Sequence, residues 1–246
     1  MNLADTLEYA AWRQRWAWVF APEHRLELPD TSRPLIDGFS VHSSYYRFQG
    51  EGFSHMASEN HLLDCRGIQV YSWRNFHAVG DLTTLFRQPD GRRCLLFRQE
   101  LYGYSVFCLD SRREIHYVPA QAKPGANFAE TFLWTGAAYS PTAQLLAVDG
   151  CYWACPVSVV LVDFSEPLSV QPVEVWRDLR AALDPDDIYF DDIELVRWDP
   201  DGTLRLRASD CNTGHWETFS LPLHILRTIL REGDSKRRYG GTKQYH

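Results

Sequence analysis

Cys151 and Cys155, in the run CYWACP, have the CxxxC spacing that structural zinc sites allow, and Cys65, Cys94, Cys108 and Cys211 could complete a four-ligand set. No second close pair of Cys or His accompanies them, and most of the other cysteines alternate within apolar strands. They read as reduced, buried thiols, and no metal or other cofactor is expected. The acidic run DPDDIYFDDIELVRWDPDG sets Asp184, Asp186, Asp187, Asp191, Asp192, Glu194, Asp199 and Asp201 against Arg197 alone. Carboxylates at that density could ligate a hard cation or receive a basic partner. Pro and apolar residues break the alternating pattern of a calcium loop, so the bland reading is a solvated loop ending in a Pro-Asp-Gly turn. His215 and Glu217 share a face of a predicted strand with Asp210 in the turn before it, which could supply an acid–base pair. None of HExxH, GxSxG, a phosphate loop or GxGxxG accompanies them.

Tyr152 and Trp153 stand between the first two thiols. A turn joining two buried strands is ordinarily polar, so two large rings there either fold back over the sheet end or stand out as interface anchors; both readings are open. The same question arises at Tyr102 and Tyr104 and at His215 and Trp216, near the corresponding turns of two other hairpins. With Asp149 of the adjoining Asp-Gly pair, and with Asp186, Asp187, Asp191 and Asp192, these residues make up the candidate partner-binding set.

The elements that must carry these residues are hairpins. Tyr139 to Phe164 is the most strongly patterned stretch: LLAV, a turn at Asp149-Gly150, then VSVVLVDF. The order recurs as CLLFRQ, a turn near Tyr102-Gly103 and YSVFCLD, and as TLRLRAS, a turn over 210–214 and HWETFSL. The prolines that open the three units, Pro89, Pro141 and Pro200, lie 52 and 59 residues apart, an irregular repeat. Phe128 to Trp134 and Ile193 to Trp198 each run into such a turn and are the expected preceding strands. His61 to Trp73 predicts a hairpin about Arg66-Gly67, whereas Pro29 to Gly52 predicts a loop with short strands at Phe39 to Val41 and Tyr45 to Phe48. Val173 to Leu183 predicts a strand and a short helix. Leu3, Leu7, Ala10, Ala11, Trp12, Trp16, Val19 and Phe20 predict an amphipathic helix within residues 1–20. Ser220, Pro222 and Gly233 bracket a second helix over 221–232, followed by a flexible basic tail, 234–246.

The units resemble blades of a WD-repeat type β-propeller. The resemblance rests on Ser140-Pro141, Leu145 to Val148, Asp149-Gly150 and Val159 to Phe164, with support at Pro89 to Asp110 and Pro200 to Leu221, and covers about half of the chain. The family's Gly-His and Trp-Asp pairs are absent, and Asp163-Phe164 stands where Trp-Asp would. A blade length of about 40 to 50 residues implies four or five blades. The expected fold is therefore a single, mainly β domain over 1–246: antiparallel hairpin repeats, irregular, small and propeller-like, with a β-sandwich as the alternative.

Composition narrows the function. A net charge of −7 over 246 residues argues against nucleic acid as a partner and leaves a basic protein as a suitable one. No window spans a bilayer, and MNLADTLEYAAWRQRW lacks the pattern of a secretory signal, so no membrane partner and a cytoplasmic setting are expected. The first functional expectation is a non-enzymatic protein-binding module, in its specific form an immunity or inhibitor protein that neutralises a bacterial toxin. The alternative is a hydrolase with Asp and His, with or without a metal, at the open end of the β-scaffold.

Overall fold

A computed structural model of the chain describes residues 1–27, 30–50, 53–77, 82–122, 131–153, 155–183 and 189–239. They form four antiparallel sheets, each made from strands consecutive in sequence. The first holds β1 (Thr31–Pro34), β2 (Ser40–Gly50), β3 (Phe53–Leu63) and β4 (Gln69–Asn75). The second holds β5 (Thr83–Arg87), β6 (Arg93–Phe97), β7 (Tyr104–Cys108) and β8 (Glu114–Tyr117). The third holds β9 (Leu133–Ser140), β10 (Leu145–Cys151), β11 (Ser158–Asp163) and β12 (Arg177–Asp178). The last holds β13 (Phe190–Trp198), β14 (Leu204–Asp210) and β15 (Trp216–Leu221). Successive meanders of this kind are the blade-like organisation the sequence predicts, and the three hairpins of its repeat are β6–β7, β10–β11 and β14–β15.

The chain divides into two compact units, Met1–Gly136 with Pro167–Val170, and Ala137–Glu166 with Gln171–His246. In the first, Phe39, Val41, Leu62, Trp73, Leu85, Leu95, Phe97 and Phe107 bury together. The N-terminus is pinned to the end of β8. Asn2 Oδ1 accepts from the Val118 N–H at 2.9 Å, and Asn2 Nδ2 donates to the His116 carbonyl at 2.8 Å. Thr6 then caps α1 (Leu7–Trp16) by accepting from the Tyr9 N–H at 3.2 Å. The apolar face differs from the one expected. Leu7 is 91% exposed and Tyr9 is buried, and after Trp16 the chain tightens into a 3-10 turn at Ala17–Phe20 that buries Val19 and Phe20.

In the second unit, Leu145, Ala147, Val159, Leu161, Ile193, Leu204 and Leu206 form the core together with Leu226 of α3 (Leu223–Tyr239). This helix continues past Gly233, where the sequence argument ended it. A glycine costs only about 1 kcal/mol in a helix interior and, unlike proline, removes no hydrogen bond. Of the expected tail, 234–239 are therefore helical, and 240–246 lie outside the described residues. A short helix α2 (Arg180–Leu183) follows β12, as expected.

Two further differences concern strands. The loop expected before Gly52 is instead the eleven-residue β2, paired along its length with β3. The strand expected at Phe128 to Trp134 begins only at Leu133 and runs to Ser140, and its residues 128–130 lie outside the described set.

Gly103, between β6 and β7, has φ +87°, and a Cβ there would lie 2.0 Å from the Tyr117 carbonyl oxygen. Gly91, in the preceding turn, has φ +90° but open space around it. Gly91→Ala should therefore cost only the left-handed strain, about 1–2 kcal/mol, whereas Gly103→Ala should lower the urea midpoint severalfold more. Equal losses would show that the Tyr117 backbone yields.

Candidate partner-binding rim

Three carboxylates assemble one end of the second unit, and each does so by accepting a backbone N–H. Asp149, in β10 opposite Val159, accepts from the Leu195 N–H of β13 at 2.7 Å. Asp192 of β13 accepts from the Val157 N–H at 2.8 Å, and the Ile193 N–H donates back to the Val157 carbonyl at 2.9 Å. Asp210, at the end of β14, accepts from the N–H groups of Asn212 and Thr213 at 2.9 and 2.7 Å and folds the turn into β15. The Cys211 N–H donates to the Tyr189 carbonyl at 2.9 Å, which attaches that turn to the start of β13. The loop 152–157, the entry to β13 and the β14–β15 turn thus occupy one rim.

Asp149 and Gly150 are strand residues rather than the expected turn. Gly150 pairs with Ser158, and the chain reverses at Tyr152–Cys155, closed by the Cys155 N–H on the Tyr152 carbonyl at 2.9 Å. That reversal presents Trp153, 63% exposed, while Tyr152 is half-buried. On the same rim Tyr189 is 54% and Trp216 39% exposed, and Asp191 and His215 are exposed as well. The Arg207 guanidinium lies 4.7 Å from the Trp216 ring and is held there by Glu194, which accepts from Arg207 Nε at 2.6 Å. A ring fixed in this way loses little freedom on contact with a partner.

Other members of the expected set do other work. Tyr104, in the first unit, is 1% exposed and stacked on Trp134 with ring centroids 4.7 Å apart, so it belongs to the core and not to a binding surface. Tyr102, also in the first unit, is half-buried and lines a cavity. Asp149 serves the backbone rather than a partner, and Asp186 and Asp187 lie outside the described residues. Tyr189 was missed; its only signal was an aromatic pair, Tyr189-Phe190, inside an acidic run. Asp210, the carboxylate expected beside His215 and Glu217, is committed to its own turn, whose bonds from Thr213 hold its carboxyl below the usual range.

All six cysteines are free thiols, with Cys94 and Cys108 buried opposite each other on β6 and β7. Burial, together with the neighbouring Cys155, pushes the Cys151 thiol up. Among the described residues no group of three or more His, Cys, Asp or Glu is placed to hold a metal ion, and no helix is long and apolar enough to cross a membrane.

No family model matches the chain, and no curated protein matches it. Among solved structures, a K247S mutant of the GH43 protein BlXynB from Bacillus licheniformis is similar at a TM-score of 0.32 and 11% identity, over 78% of this chain and 39% of that one. This chain therefore spans well under half of that protein, and a likeness at that score decides neither fold nor activity. The meander sheets fit a propeller-like fold, and nothing in the comparisons adds to the WD-repeat resemblance.

Burial pushes the Asp149 carboxyl up to about 6, with Glu194 adding to the rise, while the Leu195 N–H and Arg207 oppose it. A carboxyl raised in the folded state contributes stability that is fully present below its unfolded value and is lost as pH rises through the folded one. Asparagine keeps an acceptor for the Leu195 N–H without the charge. Asp149→Asn should thus match the parent in urea midpoint below pH 4 and exceed it at pH 7.5. A variant that matches the parent below pH 4 and is less stable than it at pH 7.5 would show that the charge itself is needed.

Proposed function

We propose that this chain is a non-enzymatic protein-binding module that engages a basic partner through the rim of its second unit. The observation that carries the reading is the exposure of Trp153, Tyr189 and Trp216 together on a rim tied down by Asp192 and by the Cys211–Tyr189 bond. Large aromatic rings on a preorganised support are the usual anchors of protein interfaces, and the exposed Asp191 with the −7 net charge supplies the field that steers a positive surface onto them. The specific form of the proposal is an inhibitor of the immunity type, acting in the reducing cytoplasm and occupying the surface of a toxin. Charge and the absence of catalytic motifs in the sequence support that form. The hydrolase alternative gains no supporting observation from the geometry of the rim.

The test is capture of partners from the source cells by the parent protein and by a Trp153→Ala/Trp216→Ala double variant. Both rings are exposed, so the variant should melt at the parent's temperature. Loss of a single anchor ring is worth about 2 kcal/mol, or roughly thirtyfold in affinity, so the captured partner should disappear. Capture by the parent should weaken as salt rises. A partner retained by the double variant would remove the rim from the account.

A further inference from the structure

A second, unrelated site is built in the first unit. A cavity of about 320 Å³ is lined by α1 and by the segments that follow β4, β6 and β8. Its walls are apolar, from Leu3, Trp12, Leu101 and Val118, with Tyr102 also facing it. Glu100, 5% exposed, also lines it, and its buried Oε2 has no hydrogen-bond partner among the described residues. His77 also lines the cavity, and its Nδ1 has no partner among the described residues either. A buried carboxylate oxygen without a partner is a costly arrangement, of a kind that structures keep where a ligand completes it.

The other oxygen of Glu100 ends a chain of hydrogen bonds whose directions are set from its two ends, Arg13 and the Glu100 carboxylate. Arg13 can only donate, so its NH1 bond to Gln99 Oε1 at 2.8 Å turns the Gln99 amide nitrogen toward Ser105 Oγ, 3.0 Å away. At the far end Tyr9 gives its one proton to Glu100 Oε1 at 2.5 Å, so its oxygen accepts from His116 Nε2 at 2.6 Å, and the neutral ring then accepts at Nδ1 from Ser105 Oγ at 2.8 Å. Arg13 Nε stands 3.7 Å from the same Oε1. All of this support arrives at Oε1 and favours the ionised carboxylate. Burial opposes it strongly enough to hold Glu100 at about 7.

We propose that the cavity binds a small organic cation, a protonated amine on an apolar or aromatic body, whose ammonium group donates to Glu100 Oε2 while the body packs against Trp12, Leu101 and Val118. Arg13 faces only Oε1, so the ammonium supplies the donor and the second positive charge at Oε2, and aromatic walls favour a cation over a neutral body of the same shape. His77 Nδ1 offers a second acceptor. Glu8 and Arg15, at the exposed mouth on α1, offset each other in charge.

Because binding favours ionised Glu100, the cation should expel a proton near neutral pH. The other groups facing Glu100 do not confuse that reading. Burial pushes His116 down to about 3 and, aided by the neighbouring His55, pushes His77 down to about 4, so both remain neutral. Burial and Glu100 push Tyr9 above its ordinary value.

The experiment is calorimetric titration of the full chain with phenethylamine, with 2-phenylethanol and 3-phenylpropanoate as neutral and anionic counterparts, in buffers of different ionisation enthalpy. The amine should bind at least tenfold more tightly than either counterpart, weaken at least tenfold from pH 8 to pH 5.5, and release about half a proton at pH 7. Glu100→Gln removes the buried charge and keeps an acceptor for Tyr9, so it should fold while losing tenfold or more in affinity and all of the proton release. Should that variant fail to fold, the proton release and pH profile of the parent decide the matter alone. Equal affinity for the alcohol, unchanged proton release in Glu100→Gln, or no amine binding at millimolar concentration would overturn the assignment.

Discussion

The interaction on which the rest of this structure depends is the bond from a backbone N–H to an aspartate carboxylate. A chain of short antiparallel meanders leaves amides without a ladder partner wherever a strand ends, and a carboxylate that accepts from them fixes the reversal. Here the acids meet that need. Asp64 accepts from the Arg66 and Ile68 N–H groups, Asp90 from Arg92, Asp110 from Arg93, Asp201 from Thr203 and Asp210 from Thr213. Asp149 and Asp192 do the same between sheets rather than within a turn. Many of the acids that composition suggests are there to attract a partner therefore also hold the backbone, and since an amide bond leaves the carboxylate its charge they serve both ends.

This double use explains what was legible in the sequence. Hairpins such as β6–β7 and β10–β11 announce themselves because their buried positions are apolar in unbroken runs. The β2–β3 hairpin does not, because it buries Ser43, Ser58 and Asn60 and satisfies them with one another. Ser43 donates to Asn60 Oδ1 at 2.7 Å, and the Asn60 amide donates to Ser58 at 3.0 Å. A pattern read from hydrophobicity alone takes those positions as solvent-facing. Asp149-Gly150 misleads in the opposite direction: the pair has turn chemistry, yet its carboxylate is spoken for by Leu195, whose proximity no local window reveals.

The two sites differ in legibility for the same reason. Trp153 and Trp216 stood out as large rings at hairpin ends, and both are exposed, although Tyr104, read by the same rule, is core. Glu100 was not readable. Arg98 and Gln99 close the predicted strand CLLFRQ and Glu100 follows it, three polar residues that hydrophobicity would leave in solvent, yet all three are buried. The partners of Glu100, Tyr9 and Arg13, come from a helix some ninety positions earlier in the chain. Buried polar networks specify a fold through contacts of long sequence separation, which is why periodicity passes over them.

The central claim is that Trp153, Tyr189 and Trp216 act together as one contact surface. Hydroxyl-radical footprinting of the protein, purified and in extract of its source cells, with mass spectrometry resolving individual side chains, tests it most directly. Trp18, 42% exposed in the first unit, serves as the internal reference. The account predicts that the three rim residues lose reactivity together in extract while Trp18 keeps its own. Unchanged reactivity of the three, or protection that falls equally on Trp18, would contradict it.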